Sequence, residues 1–375
     1  MANILVLGGG FAGVVAAEEL AKELGSEHQI TLISREERFT FYPAMVRLAF
    51  GGCEPDDVSF DLRSAMIDRR VRFIKSEVAR VDPYRRRVLL AHGEVEGEVT
   101  YDYLIYALGR RIATDLVPGF YEHANHLLTP EAALRFGEAV KEFHEGRALI
   151  GYCPGSRLAV PVYETAFALS RVLEEKGLRG RTTITIISPE TASDRLGGRA
   201  MGQSLREALD AHYIAFMPEF LINRVTADHV WTDSGMCYGF DLLMLLPPFL
   251  GAVAFRHPEL TDADGFIRVD RRMRVRGVDR MYAVGDCVNF EGPKMGHMAV
   301  RQAEVASANL IAEIEGREPH SKYEHELMLV IDEGGRDSIY LHKELWNDDP
   351  GTVRQSRFWH WAKRAHEKYW EYQHS

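Results

Sequence analysis

Little in this sequence favours a secreted, membrane-spanning or nucleic-acid-binding protein. Its 375 residues include only four cysteines, at irregular spacing, which does not suggest the disulfide framework of a small secreted domain. The most apolar run, Leu242 to Phe255, is too short to cross a bilayer and is broken by Pro247 and Pro248. A net charge of −10 argues against nucleic acid, because phosphate binding needs a dense basic surface. We therefore expect a cytoplasmic, reduced α/β protein of roughly two or three domains.

The chain opens with a strand, a glycine loop and a helix. Residues 4–7 are apolar and have no basic region before them, so we expect a first strand and not a signal peptide. The loop Gly8-Gly-Gly-Phe-Ala-Gly13 follows, then an alanine-rich helix through Leu24 and a second apolar strand at residues 30–33. This βαβ spacing predicts a dinucleotide whose pyrophosphate lies on the helix N-terminus.

Two later segments repeat the pattern of a buried strand that ends in a small-residue turn. They are "YDYLIYALGRR", residues 101–111, and "MYAVGDC", residues 281–287. Both resemble hallmarks of the FAD-binding half of flavoproteins with two dinucleotide domains, in which an aspartate corresponding to Asp286 holds the ribityl chain. A plain β-turn at Gly285 and Asp286 is the alternative, but three hallmarks in the right order argue against it.

A second βαβ module lies between these segments. It comprises the strand at residues 148–150, a helix from about Pro161 to Glu175 that is stopped by Gly177, and the strand at residues 183–187. The predicted fold class is α/β, with two Rossmann-like domains and a small C-terminal region that contains an amphipathic helix. The predicted domains are the split FAD domain, 1–111 and 242–316, the second Rossmann-like domain, 112–241, and the C-terminal region, 317–375.

Four stretches carry a resemblance to a known family. They are "GDCVNFEGPKMGHMAVRQAEVASANL" at 285–310, "FYPAM" at 41–45, "LLPPFLG" at 245–251 and "WHWAKRAHEKYW" at 359–370. Together they resemble the group of sulfide:quinone reductases and flavocytochrome c sulfide dehydrogenases, with type II NADH:quinone oxidoreductases as relatives. The resemblance implies FAD, bound non-covalently, because no cysteine lies between Cys53 and Cys153 to make the usual family linkage. No metal site is expected.

The resemblance also implies which residues hold the cofactor. The expected FAD contacts are Gly8, Gly10, Phe11, Ala12, Gly13, Ser34, Arg35, Pro43, Val78, Ala107, Gly109, Arg110, Gly285, Asp286, Lys294, Gly296, His297 and Met298. Among them Lys294, at a helix start, suits the N1–C2=O edge of the flavin, which becomes anionic on two-electron reduction. The alternative is a surface lysine that follows a proline.

The loop "GYCPGSRLAVPVYE", residues 151–164, departs from a dinucleotide fingerprint. Cys153 and Ser156 occupy the second and third glycine positions, and Pro154 removes an N–H, so tight NADH binding in the usual mode is disfavoured. Glu190 keeps the acidic ribose-binding position, so nicotinamide is not excluded. The resemblance places Cys153 at a redox-active cysteine that faces the flavin, where a helix N-terminus would favour its thiolate. A buried, inert cysteine is the alternative.

A second cysteine of the family pattern is missing. The corresponding stretch, "ELMLVIDEGG" at 326–335, contains none, and no cysteine follows Cys287. The usual disulfide relay therefore cannot form. Cys287, next to Asp286, is an alternative partner, but nothing in the sequence shows that it faces Cys153.

The predicted helix at 354–374 is two-sided. On a helical wheel one half carries Phe358, Trp359, Trp361, Ala362, Ala365, Tyr369, Trp370 and Tyr372, and the other half carries most of the charges. Aromatics with basic flanks predict a helix that lies in a membrane interface. The alternative is a helix that docks on its own domain or on a dimer partner.

These observations favour a membrane-peripheral FAD oxidoreductase of the sulfide:quinone reductase type, on the inner face of the cell membrane, with Cys153 and Lys294 as catalytic residues. One alternative is an NADH:quinone oxidoreductase. Another is a flavin-binding partner or sensor without turnover. The partners expected are quinone, a sulfide or NADH donor and the membrane surface, with no nucleic acid and with homo-oligomer formation left open.

Overall fold

The computed structural model describes residues 1–191, 198–335, 337–347 and 350–375. Its strands are β1 Asn3–Leu7, β2 Gln29–Ser34, β3 Arg38–Thr40, β4 Ser59–Asp61, β5 Arg72–Lys75, β6 Glu77–Asp82, β7 Arg87–Ala91, β8 Gly97–Thr100, β9 Tyr103–Tyr106, β10 Arg110–Ile112, β11 Gly146–Tyr152, β12 Thr182–Ile187, β13 Ile214–Met217, β14 Ile222–Val225, β15 His229–Thr232, β16 Cys237–Gly239, β17 Leu242–Leu246, β18 Phe249–Gly251, β19 Met281–Ala283, β20 Glu326–Asp332, β21 Ser338–Glu344 and β22 Thr352–Gln355. Its helices are α1 Phe11–Leu24, α2 Met45–Ala49, α3 Leu62–Asp68, α4 Phe120–His123, α5 Pro130–Glu142, α6 Val160–Glu175, α7 Arg199–Ala211, α8 Gly296–Ile314 and α9 Arg357–His374.

The first domain is built on a parallel five-stranded sheet in the order β19-β9-β1-β2-β5. Strand β1 lies in the middle, where Ile4 to Leu7 are all buried, as expected of a parallel strand covered on both faces. Strand β19, at residues 281–283, returns to this sheet after the whole second domain and pairs with β9. The carboxyl ends of β1, β9 and β19 therefore meet at one edge, where the three predicted FAD segments lie.

The second domain has a parallel sheet in the order β13-β12-β11-β17. Helix α6 begins at Val160 with Pro161 in its first turn, and Gly177 follows its end with a φ of +69°, as the sequence predicts. Strand β17 pairs with β11 in this sheet, with Met244 opposite Ile150. The predicted return to the first domain at residue 242 is therefore wrong, because apolar residues 242–246 complete the second sheet.

The C-terminal region is an antiparallel meander, β20-β21-β22, followed by α9. The meander packs on α6, where the Asp332 N–H donates to Glu164 (2.9 Å) and Arg171 donates to Gly334 O (2.6 Å). Helix α9 then crosses to the first domain, where Trp370 packs in the same hydrophobic cluster as β1. The predicted fold class, two Rossmann-like domains with a C-terminal helical region, is confirmed.

Within the described ranges, no helix combines the length and the apolar character needed to cross a bilayer.

Candidate active site

The first glycine loop contains two kinds of glycine. A Cβ on Gly8 would lie 2.3 Å from Ala107 O, and a Cβ on Gly13 would lie 1.8 Å from Gly8 O, so both are required by close backbone packing. Gly10 has no heavy atom within 4 Å of its Cβ position. It is the N-cap residue of α1, and no side chain caps the helix there. Open space in front of uncapped N–H groups is what a pyrophosphate needs. The loop therefore fits FAD.

The adenosine end of the expected site lies along β2. Ser34 is buried, its carbonyl accepts from the Ser76 N–H (2.9 Å), and Val78 lies close by on β6. Arg35 is exposed and pairs with Glu36 (2.9 Å). This corner joins the carboxyl ends of neighbouring parallel strands, where a Rossmann fold binds its nucleotide.

The segment after β9 contributes a cation. Ala107 donates to Leu7 O (2.8 Å) and Gly109 has a φ of +66°, so the chain turns at the sheet edge and brings Arg110 beside Asp286, with which it forms an ion pair. The Arg110 guanidinium also lies 4.1 Å from the centre of the Phe249 ring. Its buried Nε makes no hydrogen bond within the described part of the chain, so the pair has capacity for another polar group.

The segment after β19 forms another side of the expected flavin site. Gly285 has a φ of +81°, and its N–H donates to Gln302 Oε1 (2.7 Å). Lys294 is buried, donates from Nζ to Val288 O and lies 4.7 Å from the Phe266 ring centre. Burial lowers the pKa of Lys294 to about 7, and the neighbouring Arg157 acts in the same direction. This lysine is not a surface lysine, so that alternative is wrong.

Helix α8 begins beside Lys294. Its N-cap, Met295, makes no side-chain hydrogen bond, and the Cβ position of Gly296 lies 3.3 Å from the Phe11 ring of the first glycine loop. His297 Nε2 accepts from the Met328 N–H (3.2 Å), and Met298 is buried. A small open recess adjoins this helix start. It is lined by Gly285, Asp286, Val288, Phe290, Pro293, Lys294, Met295, Met298, Ala299, Gln302 and His325.

The structure thus brings the expected flavin residues to one edge of the first sheet. Pro43, like its neighbour Tyr42, is exposed at the rim, in the turn before α2, and Ala12 and Phe11 lie on the first turn of α1. Bound FAD would be held by the α1 loop at its pyrophosphate, by Asp286 at its ribityl chain and by Lys294 with the α8 N-terminus at its pyrimidine edge. Sequence reasoning missed Gln302, Tyr323 and His325, whose contacts depend on how the C-terminal segment folds back.

Cys153 lies in a hydrophobic core cluster. It is fully buried in a packed cluster with residues such as Leu149, Ile187 and Leu245. Burial raises the pKa of its thiol well above the ordinary value, so the thiolate is disfavoured. The prediction that this sulfur lies outside a packed core is wrong, because the chain turns its side chain inward at the end of β11.

No disulfide relay is available from the other cysteines. All four are unpaired. Cys287 is buried in the first-domain core, where its Sγ lies 3.1 Å from Val284 O and burial raises the pKa of its thiol to about 12. Cys153 and Cys287 therefore belong to separate hydrophobic clusters.

The loop of the second domain is tied to the flavin side of the molecule. Arg157 donates from Nε to Gly292 O (2.9 Å) and also to Phe290 O, and its carbonyl accepts from the Lys294 N–H (2.8 Å). At the base of the loop Tyr152 is fully buried and accepts from Ser188 Oγ (2.7 Å). These contacts fix the loop across the two domains.

Helix α9 docks through a face that combines charged and aromatic side chains, so the docked face does not coincide with either half of the helical wheel. Lys363 pairs with the buried Glu164 (2.5 Å), and Glu367 pairs with Arg47. Two tryptophans also face inward, because Trp359 stacks on Tyr340 and Trp370 packs on Phe11 and Phe39. The remaining large aromatics point outward, with exposures of 64% for Phe358, 66% for Trp361, 62% for Tyr369 and 85% for Tyr372.

Comparison with known proteins agrees with this geometry. Residues 2–303 match the family described as pyridine nucleotide-disulphide oxidoreductase. The chain is 25% identical to the sulfide-quinone reductase of Aquifex aeolicus over 98% of its own length and 90% of that protein. It is 23% identical to a plant alternative NAD(P)H-ubiquinone oxidoreductase from Arabidopsis thaliana, over 84% of this chain and 68% of that protein.

Among solved structures, the sulfide:quinone oxidoreductase from Aquifex aeolicus matches all of this chain and 91% of its own, with a TM-score of 0.92 and 23% identity. The resemblance to that group predicted from the sequence is confirmed. The family match over most of the chain, the open glycine loop and the buried lysine beside a helix start lead to one conclusion: the chain belongs to the pyridine nucleotide-disulphide oxidoreductase family and is an FAD-dependent oxidoreductase.

Proposed function

We propose that this protein is a quinone reductase of the sulfide:quinone type that works on a membrane surface. Its FAD would accept two electrons from a small sulfur donor and pass them to a lipid-soluble quinone. The donor assignment rests on the loop between β11 and α6 of the second domain, which we call the closed loop because Cys153 and Pro154 occupy its turn. The full-length similarity to a sulfide-quinone reductase supports the acceptor.

The closed loop argues against NADH as the donor. A dinucleotide needs free N–H groups and no side chains at the turn before α6, but Cys153 and Pro154 occupy that turn and Arg157 joins it to the loop after β19. The fully buried Tyr152 fills the base of the turn. Glu190 keeps the acidic position of a nicotinamide site, so the experiment below also tests NADH.

A sulfur donor does not need a protein thiol here. Hydrosulfide is itself a soft nucleophile, and two of them balance the reaction as 2 HS⁻ → HSS⁻ + H⁺ + 2e⁻, with the quinone taking two electrons and two protons. Bound FAD would supply the two-electron step between donor and acceptor. We assign Cys153 to packing, since its thiol is buried and burial raises its pKa. Lys294 would stabilise negative charge at the pyrimidine edge.

A membrane surface is favoured by the outward face of α9. Phe358, Trp361, Tyr369 and Tyr372 form an aromatic stripe on the side opposite the docked residues, with Arg357, Arg364 and Lys368 along one flank. Exposed aromatics beside cations suit the headgroup region of a bilayer. The four unpaired cysteines suit the reducing, cytoplasmic side of the cell membrane.

The same helix connects that stripe to the flavin loop. Trp370 on the inner face of α9 lies 5.3 Å from the ring of Phe11, which directly follows Gly10. Phe11 in turn contacts Phe41, which precedes the exposed Tyr42 and Pro43 (5.5 Å between the Phe rings). An apolar acceptor leaving the bilayer would therefore meet an aromatic path toward the flavin.

The donor assignment is tested by anaerobic mixing of the purified yellow protein with sodium sulfide or with NADH, followed at the oxidised-flavin absorbance band. Rapid bleaching by sulfide, followed by reoxidation with a short-chain quinone, is the expected result. Bleaching by NADH alone would establish the NADH:quinone alternative. Bleaching by neither would leave a flavoprotein without turnover and overturn the proposal.

The membrane assignment is tested by flotation with vesicles that contain anionic phospholipid. Changing Phe358, Trp361, Tyr369 and Tyr372 to serine should abolish flotation while leaving flavin content unchanged. The matched control changes Tyr121 and Tyr213, which are 84% and 85% exposed but lie elsewhere, and should float like the native protein. Equal flotation of the native protein and the stripe variant would contradict the assignment.

A further inference from the structure

A chain of buried hydrogen bonds joins the two ends of the loop that follows β19. The Gly285 N–H donates to Gln302 Oε1 (2.7 Å), and the Gln302 side chain also hydrogen-bonds Tyr323. Tyr323 Oη lies 3.0 Å from His325 Nδ1, and His325 Nε2 lies 2.8 Å from Glu291 O. We call Gln302, Tyr323 and His325 the flavin-loop relay.

The direction of every bond in the relay is fixed by its ends. A peptide N–H can only donate and a carbonyl oxygen can only accept. Gln302 therefore accepts through Oε1 and donates through its amide to Tyr323 Oη. The tyrosine hydroxyl then donates to Nδ1, which leaves the proton of a neutral His325 on Nε2, facing Glu291 O. Burial lowers the pKa of His325, with nearby Lys294 also opposing its protonation, in agreement with this neutral form.

The relay holds the loop that carries Asp286 and Lys294. All three of its side chains are at least 96% buried, and Gln302 and His325 line the same recess as Lys294. Phe290, in the middle of the loop, stacks on the Tyr323 ring with centres 5.6 Å apart and planes 8° apart. Gln302 of α8 therefore contacts the loop at its beginning, and Tyr323 and His325, between α8 and β20, contact its middle and its end.

We propose that Tyr323 and His325 are positioning residues for the flavin. Through Gln302 they fix the Gly285 turn, and through Glu291 O they fix the approach of Lys294 to the pyrimidine edge. Because Lys294 stabilises the anionic, reduced flavin more than the oxidised flavin, the relay raises the affinity for reduced FAD selectively. This inference depends on FAD binding and not on the identity of the donor or the acceptor.

The substitution Tyr323→Phe tests this directly, since it removes the hydroxyl and keeps the stacked ring. We expect the affinity for reduced FAD to fall about ten-fold more than that for oxidised FAD, which lowers the two-electron midpoint potential by about 30 mV. The potential is measured by equilibration with a reference dye, and the oxidised-FAD affinity by fluorescence titration of the apoprotein. Trp346→Phe is the matched control, because that ring packs 5.7 Å from Tyr323 but lies outside the relay, and its potential should be unchanged.

A wild-type potential in Tyr323→Phe would overturn the proposal. An equal loss of affinity for both redox forms would also overturn it, because the relay would then be structural only. If Tyr323→Phe retains no flavin, the pair His325→Gln and His325→Leu decides. Glutamine keeps an amide donor for Glu291 O, so its potential should lie above that of the leucine variant, and equal potentials would count against the relay.

Discussion

Removal of the Lys363 ammonium should destabilise the protein strongly and in a pH-dependent way. Glu164 lies in α6 with its side chain only 6% exposed, and Lys363 of α9, 27% exposed, is its ion-pair partner. Breaking a buried pair by removing one member leaves an unpaired charge and costs about 3–5 kcal/mol. Since Lys363 is partly exposed, we expect Lys363→Met to lower the free energy of unfolding by about 3 kcal/mol at pH 8.

The pH dependence follows from the carboxyl group. Burial raises the pKa of Glu164, and Lys363 opposes that rise, so the methionine variant should raise the pKa further. The native state then binds this proton more tightly than the unfolded chain does. The penalty is therefore absent well below the unfolded glutamate pKa of about 4.3 and grows as the pH rises above it.

Urea denaturation at pH 4.5 and pH 8, followed by tryptophan fluorescence, measures this penalty. Lys368→Met, on the exposed face of the same helix, is the control and should change stability by less than about 0.5 kcal/mol. The double variant Glu164→Gln with Lys363→Met should recover much of the loss, because the amide can still accept from the Asp332 N–H. A penalty below about 1 kcal/mol at pH 8, or an equal penalty at both pH values, would refute the argument that Glu164 and Lys363 form a buried, charged pair.

Three further outcomes are expected. Gly10→Leu should leave the circular dichroism spectrum of the apoprotein unchanged and yet give colourless protein, because its Cβ position is open. Gly13→Ala should lower the free energy of unfolding, because its Cβ would lie 1.8 Å from a backbone oxygen. A yellow Gly10→Leu protein would contradict the flavin placement. Cys153→Ser should retain sulfide-dependent flavin reduction and lower the free energy of unfolding by about 1–3 kcal/mol, as a buried hydroxyl does; loss of sulfide reduction with full flavin content would restore the catalytic role. Between pH 7 and pH 10 the free energy of unfolding of the apoprotein should rise relative to that of Lys294→Met. The reason is that the native Lys294 pKa of about 7 lies below its unfolded value, so the unfolded chain binds more protons in this range. Identical pH profiles of the two proteins in urea titrations would disprove this.

The sequence predicts the local elements well because their signals are local. Apolar runs became buried parallel strands, and Pro161 and Gly177 marked the ends of α6 closely. The three FAD segments could be assigned because glycine positions such as Gly8 and Gly13 reflect backbone contacts that no other residue permits.

What the sequence could not supply was the direction in which side chains point. Cys153 follows a strand, and a one-residue difference decides whether its sulfur faces a core or a cleft. The α9 wheel did not identify the inward face, because Lys363 and Glu367 of its charged half turn inward to partners on other elements. Trp359 and Trp370 of its apolar half turn inward beside them. Likewise, β17 joined the second sheet because an apolar strand fits either sheet and only the register with β11 selects one.

The contacts of α9 also bear on the order in which the protein can be completed during synthesis. The glycine loop near residue 10 leaves the ribosome first, yet its sheet lacks β19 until residues 281–283 have appeared, and α1 lacks its neighbour α8 until residue 314. The ring of Phe11 gains its contact with Trp370 later still, and the hydrogen bond between Glu18 and His374 comes four residues after that. The first flavin-binding segment to be translated is thus among the last parts of this fold to be finished, so a nascent chain stalled before α9 would present an incomplete cofactor site.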